Sequence, residues 1–334
     1  MKKTKNPYIH CLSRAFVWVL LGIFASCSDS GTEILENEEE GTVAISFGKI
    51  KTRAEVIEAS DIKNFSVFGD RTHAQGTTNV FYNERVYRNG SGNLDYDNTR
   101  YWAQSSVYDF FAVHPYMQNG ISKTDFTVDE NTYPGYQVSF TTPVGADTDL
   151  MTAYVGVDTS SGYPASVNFE FGHKLSMVSF AVSKENANDL FIVNQVTLVG
   201  VKSQGTYRTS SNGGYTDNWE CTSATMQVTR TSLNATIDAA EKRVLGENKG
   251  FMLIPQTVGD VTLRINYTYK QAGADEYQTK SIEAQLPTTK INEWVSSERY
   301  LYKLTLSVDN HIYFSTPTVE SWGTMQSGGT IIIK

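Results

Sequence analysis

Alternation with a period of two runs through this chain and decides what it can fold into. Val261, Leu263, Ile265, Tyr267 and Tyr269 face one way, while Thr262, Arg264, Asn266, Thr268 and Lys270 face the other. Tyr300, Tyr302, Leu304, Leu306 and Val308 repeat the pattern against Lys303, Thr305 and Ser307. Successive side chains of a strand point to opposite faces, so both runs read as antiparallel strands with one wet face. Shorter runs of the same kind include Phe65 to Phe68, Val80 to Val86, Val107 to His114, Val167 to Phe171, Val178 to Val182 and Gly250 to Ile254. Only Ser232 to Leu245, with Ala235, Ala239 and Ala240, has room for a helix. Short strands with no helices alternating between them predict an all-β chain built of antiparallel β-sandwiches rather than a parallel sheet. The 19 Tyr and 16 Phe fit this, because aromatic side chains pack well on a pleated, half-buried surface.

Ahead of the strands lies a segment of different character. Residues 1–26 carry Lys2, Lys3, Lys5 and Arg14 and no acid, then an apolar stretch from Ala15 to Phe24, then two small residues. This is a secretory signal, shorter than the ~20 apolar residues of a spanning helix. Ala25, Ser26 and Cys27 resemble the lipobox of bacterial lipoproteins, in which the thiol is lipidated and cleavage leaves the cysteine first. Phe24 departs from the Leu usual in that motif; an ordinary signal peptide beside a cysteine is the plainer reading. Residues 27–41 hold Asp29, Glu33, Glu36, Glu38, Glu39 and Glu40 with no basic residue, and like charges keep such a stretch extended as a tether. An acidic stretch after a lipidated cysteine resembles the surface-export signal of Bacteroidetes lipoproteins. The expected location is the outer membrane, through lipid on Cys27, facing the cell surface.

Charge excludes one class of partner. Without residues 1–26 the chain has 24 basic against 36 acidic side chains, a balance of −12, and no basic run that could neutralise phosphates. Nucleic acid is therefore not expected. With Cys11 in the signal and Cys27 lipidated, Cys221 has no partner for a disulfide and reads as a small buried hydrophobe.

The folded part is expected as an N-terminal domain over residues 42–165 and a C-terminal domain over residues 166–334, with the change at Ser160, Ser161, Gly162, Tyr163 and Pro164. The first strand presents Val43, Ile45 and Phe47 against Ala44, Ser46 and Gly48. Lys49, Lys51 and Arg53 follow as a basic connection, which is a charged turn or a protease-accessible loop. At the other end Ile331, Ile332 and Ile333 follow two glycines, a β-branched run that needs a sheet, its own or a neighbour's.

The chemistry of an enzyme is not legible. No Gly-x-Ser-x-Gly elbow stands in a strand-to-helix setting. His73, His114, His173 and His311 are far apart in sequence and none has zinc spacing. Asp95, Asp97 and Thr99 begin like a calcium loop, but Arg100 and Ser106 stand where that loop needs Gly and Glu. No catalytic residue, metal site or cofactor is assigned.

Several segments taken in order resemble the fimbrillin-like family of Bacteroidetes. They are Thr52, Arg53, Ala54; Phe65 to Phe68; Arg100, Tyr101, Trp102 leading to Phe110, Phe111, Ala112; and Asp149, Leu150, Met151. The series continues with Phe171 to Ser176, Leu253 to Gln256, and Trp294 before Tyr300, Leu301, Tyr302. The resemblance implies two transthyretin-like β-sandwich domains and a pilin exported as a lipoprotein. It implies cleavage at Arg53, with Lys49 and Lys51 as alternatives, displacement of the strand holding Val43, Ile45 and Phe47, and its replacement by a strand from another subunit. The candidate donor strand is Ile331, Ile332 and Ile333. Partners would be fimbrial subunits of the same or related kind, with surface ligands of host or bacterial origin left open. The competing expectation is a monomeric, surface-anchored lipoprotein that stacks glycans on Trp102, Trp219, Trp294 or Trp322.

Overall fold

The computed structural model describes residues 42–52, 62–117, 126–129, 136–208, 218–237 and 241–322. Among them are strands and turns and no helix. The interval with room for a helix instead contributes Ala235–Ile237, a strand that pairs with Leu190–Lys202 and turns Ala235 and Ile237 into the core.

Seven strands form the first sheet, in the order β1 (Phe47–Thr52), β9 (Val167–His173), β8 (Met151–Asp158), β5 (Val107–His114), β2 (Asn64–His73), β3 (Gly76–Arg88) and β4 (Leu94–Asp95). One face covers a core that includes Ile45, Phe47, Phe65, Val67, Phe81, Trp102, Phe110, Phe169 and Phe171. A second sheet orders β13 (Asn218–Cys221), β12 (Gln204–Arg208), β7 (Gln137–Thr141) and β6 (Phe126–Asp129). Tyr207 and Val138 pack with Phe68, Phe111 and Val113 from the other face of β2 and β5. Those central strands are thus covered on both faces, which is why Phe110 to Val113 reads as an unbroken apolar run.

Two further sheets enclose the remaining core. One joins β16 (Lys242–Arg243), β10 (Ser176–Lys184), β22 (Glu298–Leu306) and β23 (Ile312–Phe314), with β17 (Phe251–Leu253) on β10 and β24 (Thr318–Ser321) on β22. The other joins β14 (Thr225–Arg230), β11 (Leu190–Lys202), β19 (Thr262–Lys270) and β20 (Gln278–Gln285), with β15 (Ala235–Ile237) on β11. Val178, Phe180, Tyr302 and Leu304 meet Val193, Leu198, Leu263 and Ile265 between them. A short pair, β18 (Gln256–Thr257) with β21 (Glu293–Trp294), closes one end.

Cores and sheets cross the expected domain change. The strand that starts after residue 165 carries Val167, Phe169 and Phe171 into the first core, and β10 carries Val178 and Phe180 into the second, which Ala146 already joins from before it. The second sheet draws β6 and β7 from before residue 165 and β12 and β13 from after it, so the two halves share a sheet. The alternation of β22 holds and it pairs antiparallel with β23 and β24, but its long partner β10 runs parallel to it, Val178 opposite Tyr300 and Val182 opposite Leu304. Periodicity reports which face is covered and carries no strand direction.

Candidate functional site: the first strand and its socket

β1 is an edge strand, and the residues just before it are already tied down. Trp102 N–H donates to Val43 O at 3.0 Å and Ile45 N–H donates to Arg100 O at 2.8 Å, across a bridge between Ala44 and Tyr101. Val167 N–H then donates to Ser46 O at 2.7 Å, and β1 runs parallel to β9 with Phe47 opposite Val167, Ile50 opposite Phe169 and Thr52 opposite Phe171. Three residues of β1 thus span two of β9 between Phe47 and Ile50, which is a bulge. A bulge resets the alternation, so Phe47 and Ile50 both point inward.

The bulge revises the strand's apolar set. Ile45, Phe47 and Ile50 are buried, whereas Val43 is 44% exposed. Ile50 was concealed in the sequence between two lysines; Gly48, at the point where the strand kinks, was its one signal. Burying each large apolar side chain contributes roughly 1.5 to 3 kcal/mol, so this short strand is held chiefly by three groups.

Phe47 is the best held of them. Its ring lies 5.6 Å from Phe81, 5.3 Å from Tyr96 and 6.3 Å from Phe110, each edge to face, and stacks on Phe169 at 5.7 Å. Edge-to-face and offset stacked contacts favour an aromatic guest over an aliphatic one of equal area. The Tyr96 hydroxyl donates to Ile45 O at 2.8 Å and accepts from Arg100 N–H at 3.1 Å. Burial raises its pKa above the ordinary tyrosine value, which keeps the proton it donates. Beyond the strand an open groove of about 660 Å³ is lined by Phe47, Gly48, Ile50, Arg88, Asn93 and Leu94.

Lys49 and Lys51 are exposed but lie within β1, and Lys49 N–H donates to Asn168 Oδ1 at 2.6 Å. A protease binds extended, unpaired backbone, so cutting at either lysine requires the strand to peel from β9 first. Arg53 follows the last strand residue and lies outside the described residues, as do Cys27 and Ile331, Ile332 and Ile333.

The C-terminal end of the described chain comes back to the same strand. β24 pairs with the start of β22, and Trp322 N–H donates to Ser297 O at 3.4 Å. Its indole stacks on His173 at 4.2 Å, and His173 Nδ1 sits 3.0 Å from Asp149 Oδ1. β9 therefore holds β1 along its length and Trp322 at its end. Nothing in the sequence linked these partners.

Three of the four candidate sugar platforms are closed off by burial. Trp102, Trp294 and Trp322 are buried, and Trp219 is partly buried with its Nε1 donating to Lys174 O at 2.9 Å. Cys221 is exposed on β13 rather than buried. Asp97 accepts from the Tyr87 hydroxyl at 3.0 Å, and no group of three His, Cys, Asp or Glu able to hold a metal occurs among the described residues.

Comparison with known proteins bears on the fold and the family. The chain is similar to a fimbrial protein from Bacteroides vulgatus, 20% identical with a TM-score of 0.64, over 84% of this chain and 99% of that one. It is also similar to a candidate cell adhesion protein from Bacteroides uniformis, 16% identical with a TM-score of 0.53, over 84% and 98% of the two chains. At such identities these likenesses establish a shared all-β fold. No curated protein matches the chain. The profile of the fimbrillin-like family matches residues 52–322, well over half of the sequence, and the chain belongs to that family.

Proposed function

We propose that this chain is a non-enzymatic structural subunit of a surface fimbria. It is exported as a lipoprotein through Cys27, carried on the acidic tether to the outer face of the outer membrane, and cut after Arg53. The freed β1 is then replaced by a strand from a neighbour, and Ile331, Ile332 and Ile333 are the segment this subunit donates in turn. Adhesion through the assembled fibre is its role.

The observation that carries this reading is the form of β1. A segment held by β9, by the backbone of Arg100 and Trp102 and by three buried side chains closes the edge of the first core, and Arg53 follows directly after β1. Removing it uncovers the Phe47 socket and unpairs β9, and a strand added from outside restores both the burial and the hydrogen bonds.

The test is assembly in vitro. Purified chain lacking residues 1–26 is treated with an arginine-specific protease and followed by size-exclusion chromatography and electron microscopy. The reading expects a monomer before the cut and, after it, uptake into fibres once subunits stripped from the cell surface are added. A chain cut after Arg53 that never enters fibres in that mixture overturns it.

A further inference from the structure

We infer that the strand replacing β1 comes from a different kind of subunit. Its side chains follow the order aliphatic, any, aromatic, glycine, any, aliphatic, the order of Ile45, Phe47, Gly48 and Ile50. The inference rests on the strand-exchange reading and adds what the socket selects.

Two features of the socket set the pattern. The first is the ring cage of Phe81, Tyr96, Phe110 and Phe169, whose centroids lie 5.3 to 6.3 Å from that of Phe47. A branched aliphatic side chain placed there leaves ring faces and edges without partners. The second is Gly48. A Cβ at this position would collide with the Ser166 hydroxyl and lie 2.5 Å from Asn168 Oδ1, the atom that also accepts from Lys49 N–H. The Ser166 hydroxyl can rotate, but Ser166 Cβ, 2.9 Å away, is fixed to its backbone, and moving Asn168 gives up that hydrogen bond.

The chain's own tail meets neither condition. Residues 323–334 contain no aromatic residue. Whichever of Ile331, Ile332 and Ile333 takes the place of Phe47, the residue on either side of it carries a Cβ: Thr330, an isoleucine or Lys334. A tail that enters parallel to β9, as β1 does, therefore meets the collision at Gly48. The tail of a second copy is a poor guest for this socket, and the isoleucine run is suited to a different neighbour's.

Peptide exchange on the cut full-length chain tests this without asking any variant to fold. A fluorescent peptide of residues 43–52 is added to the protein cut after Arg53, and its binding is followed by anisotropy. Unlabelled competitors are the same peptide, its Phe47→Ile form, its Gly48→Val form and a peptide of residues 323–334. The inference expects the unaltered peptide to compete and the other three to be weaker by about tenfold or more, since 1.4 kcal/mol is a factor of ten. A 323–334 peptide, or a Phe47→Ile peptide, that competes as well as the unaltered one overturns the inference and leaves strand exchange standing. Failure of the labelled 43–52 peptide itself to enter the cut protein overturns strand exchange and the inference together.

Discussion

Phe47 stacks on Phe169 across the parallel pair of β1 and β9, with ring centroids 5.7 Å apart and planes inclined by 26°. This contact ties the outermost strand of the first sheet to its neighbour. Phe47→Ala in the uncut chain is expected to lower stability by about 3 to 5 kcal/mol, the range for removing a buried aromatic side chain. Val43→Ala, at an exposed position of the same segment, should stay within about 0.5 kcal/mol. Urea unfolding of the two variants checks the pair. Equal losses would mean that the inward face of this segment is not the one described.

His114 supplies a pH dependence. Burial lowers its pKa below the ordinary histidine value, against the opposing pull of the Asn64 carbonyl 3.1 Å from Nδ1 and of the Asp149 charge. A histidine with a depressed native pKa stabilises the fold above its unfolded pKa of about 6.5, and that stabilisation is lost as pH falls through the native value. Stability measured by urea midpoints between pH 7.5 and 5 should fall toward the acid side, and less steeply in His114→Gln. An unchanged slope in the variant would remove His114 from the account.

The long strands were legible because each has one covered face: Leu263, Ile265 and Tyr267 are all buried, as are Tyr302, Leu304 and Leu306. Legibility failed where the backbone departs from simple alternation or where partners lie far apart in sequence. The bulge at Gly48 turned Ile50 inward, and Val43, ahead of it, lies exposed. The cage draws Phe81, Tyr96, Phe110 and Phe169 from four separate segments, and only Phe110 and Phe169 stood in a recognised strand pattern. The shared sheet of β7 and β12 joins residues on opposite sides of the expected domain change, a pairing that no local pattern encodes. Three of the four tryptophans read as surface platforms, Trp102, Trp294 and Trp322, are buried, because a large ring is covered wherever the topology allows.

Lipidation has its own readout. Cys27→Ser is expected to abolish labelling of the protein by radioactive palmitate in growing cells and to move the unprocessed chain out of the outer-membrane fraction. Undiminished labelling in the variant would place the lipid elsewhere or remove it from the account.

Deleting residues 328–334 is expected to leave a folded monomer and to stop fibre growth. Circular dichroism and electron microscopy report the two halves of that expectation. Fibres of normal length from the truncated protein would dismiss Ile331, Ile332 and Ile333 as the donor strand.

The central claim is that β1 is a replaceable plug, and the masses of subunits stripped from purified surface fibres test it most directly. The account predicts subunits that begin at Ala54, with no peptide of residues 42–53 retained in the fibre. Assembled subunits that still carry Ile45, Phe47 and Ile50 ahead of Arg53 in one unbroken chain would contradict it.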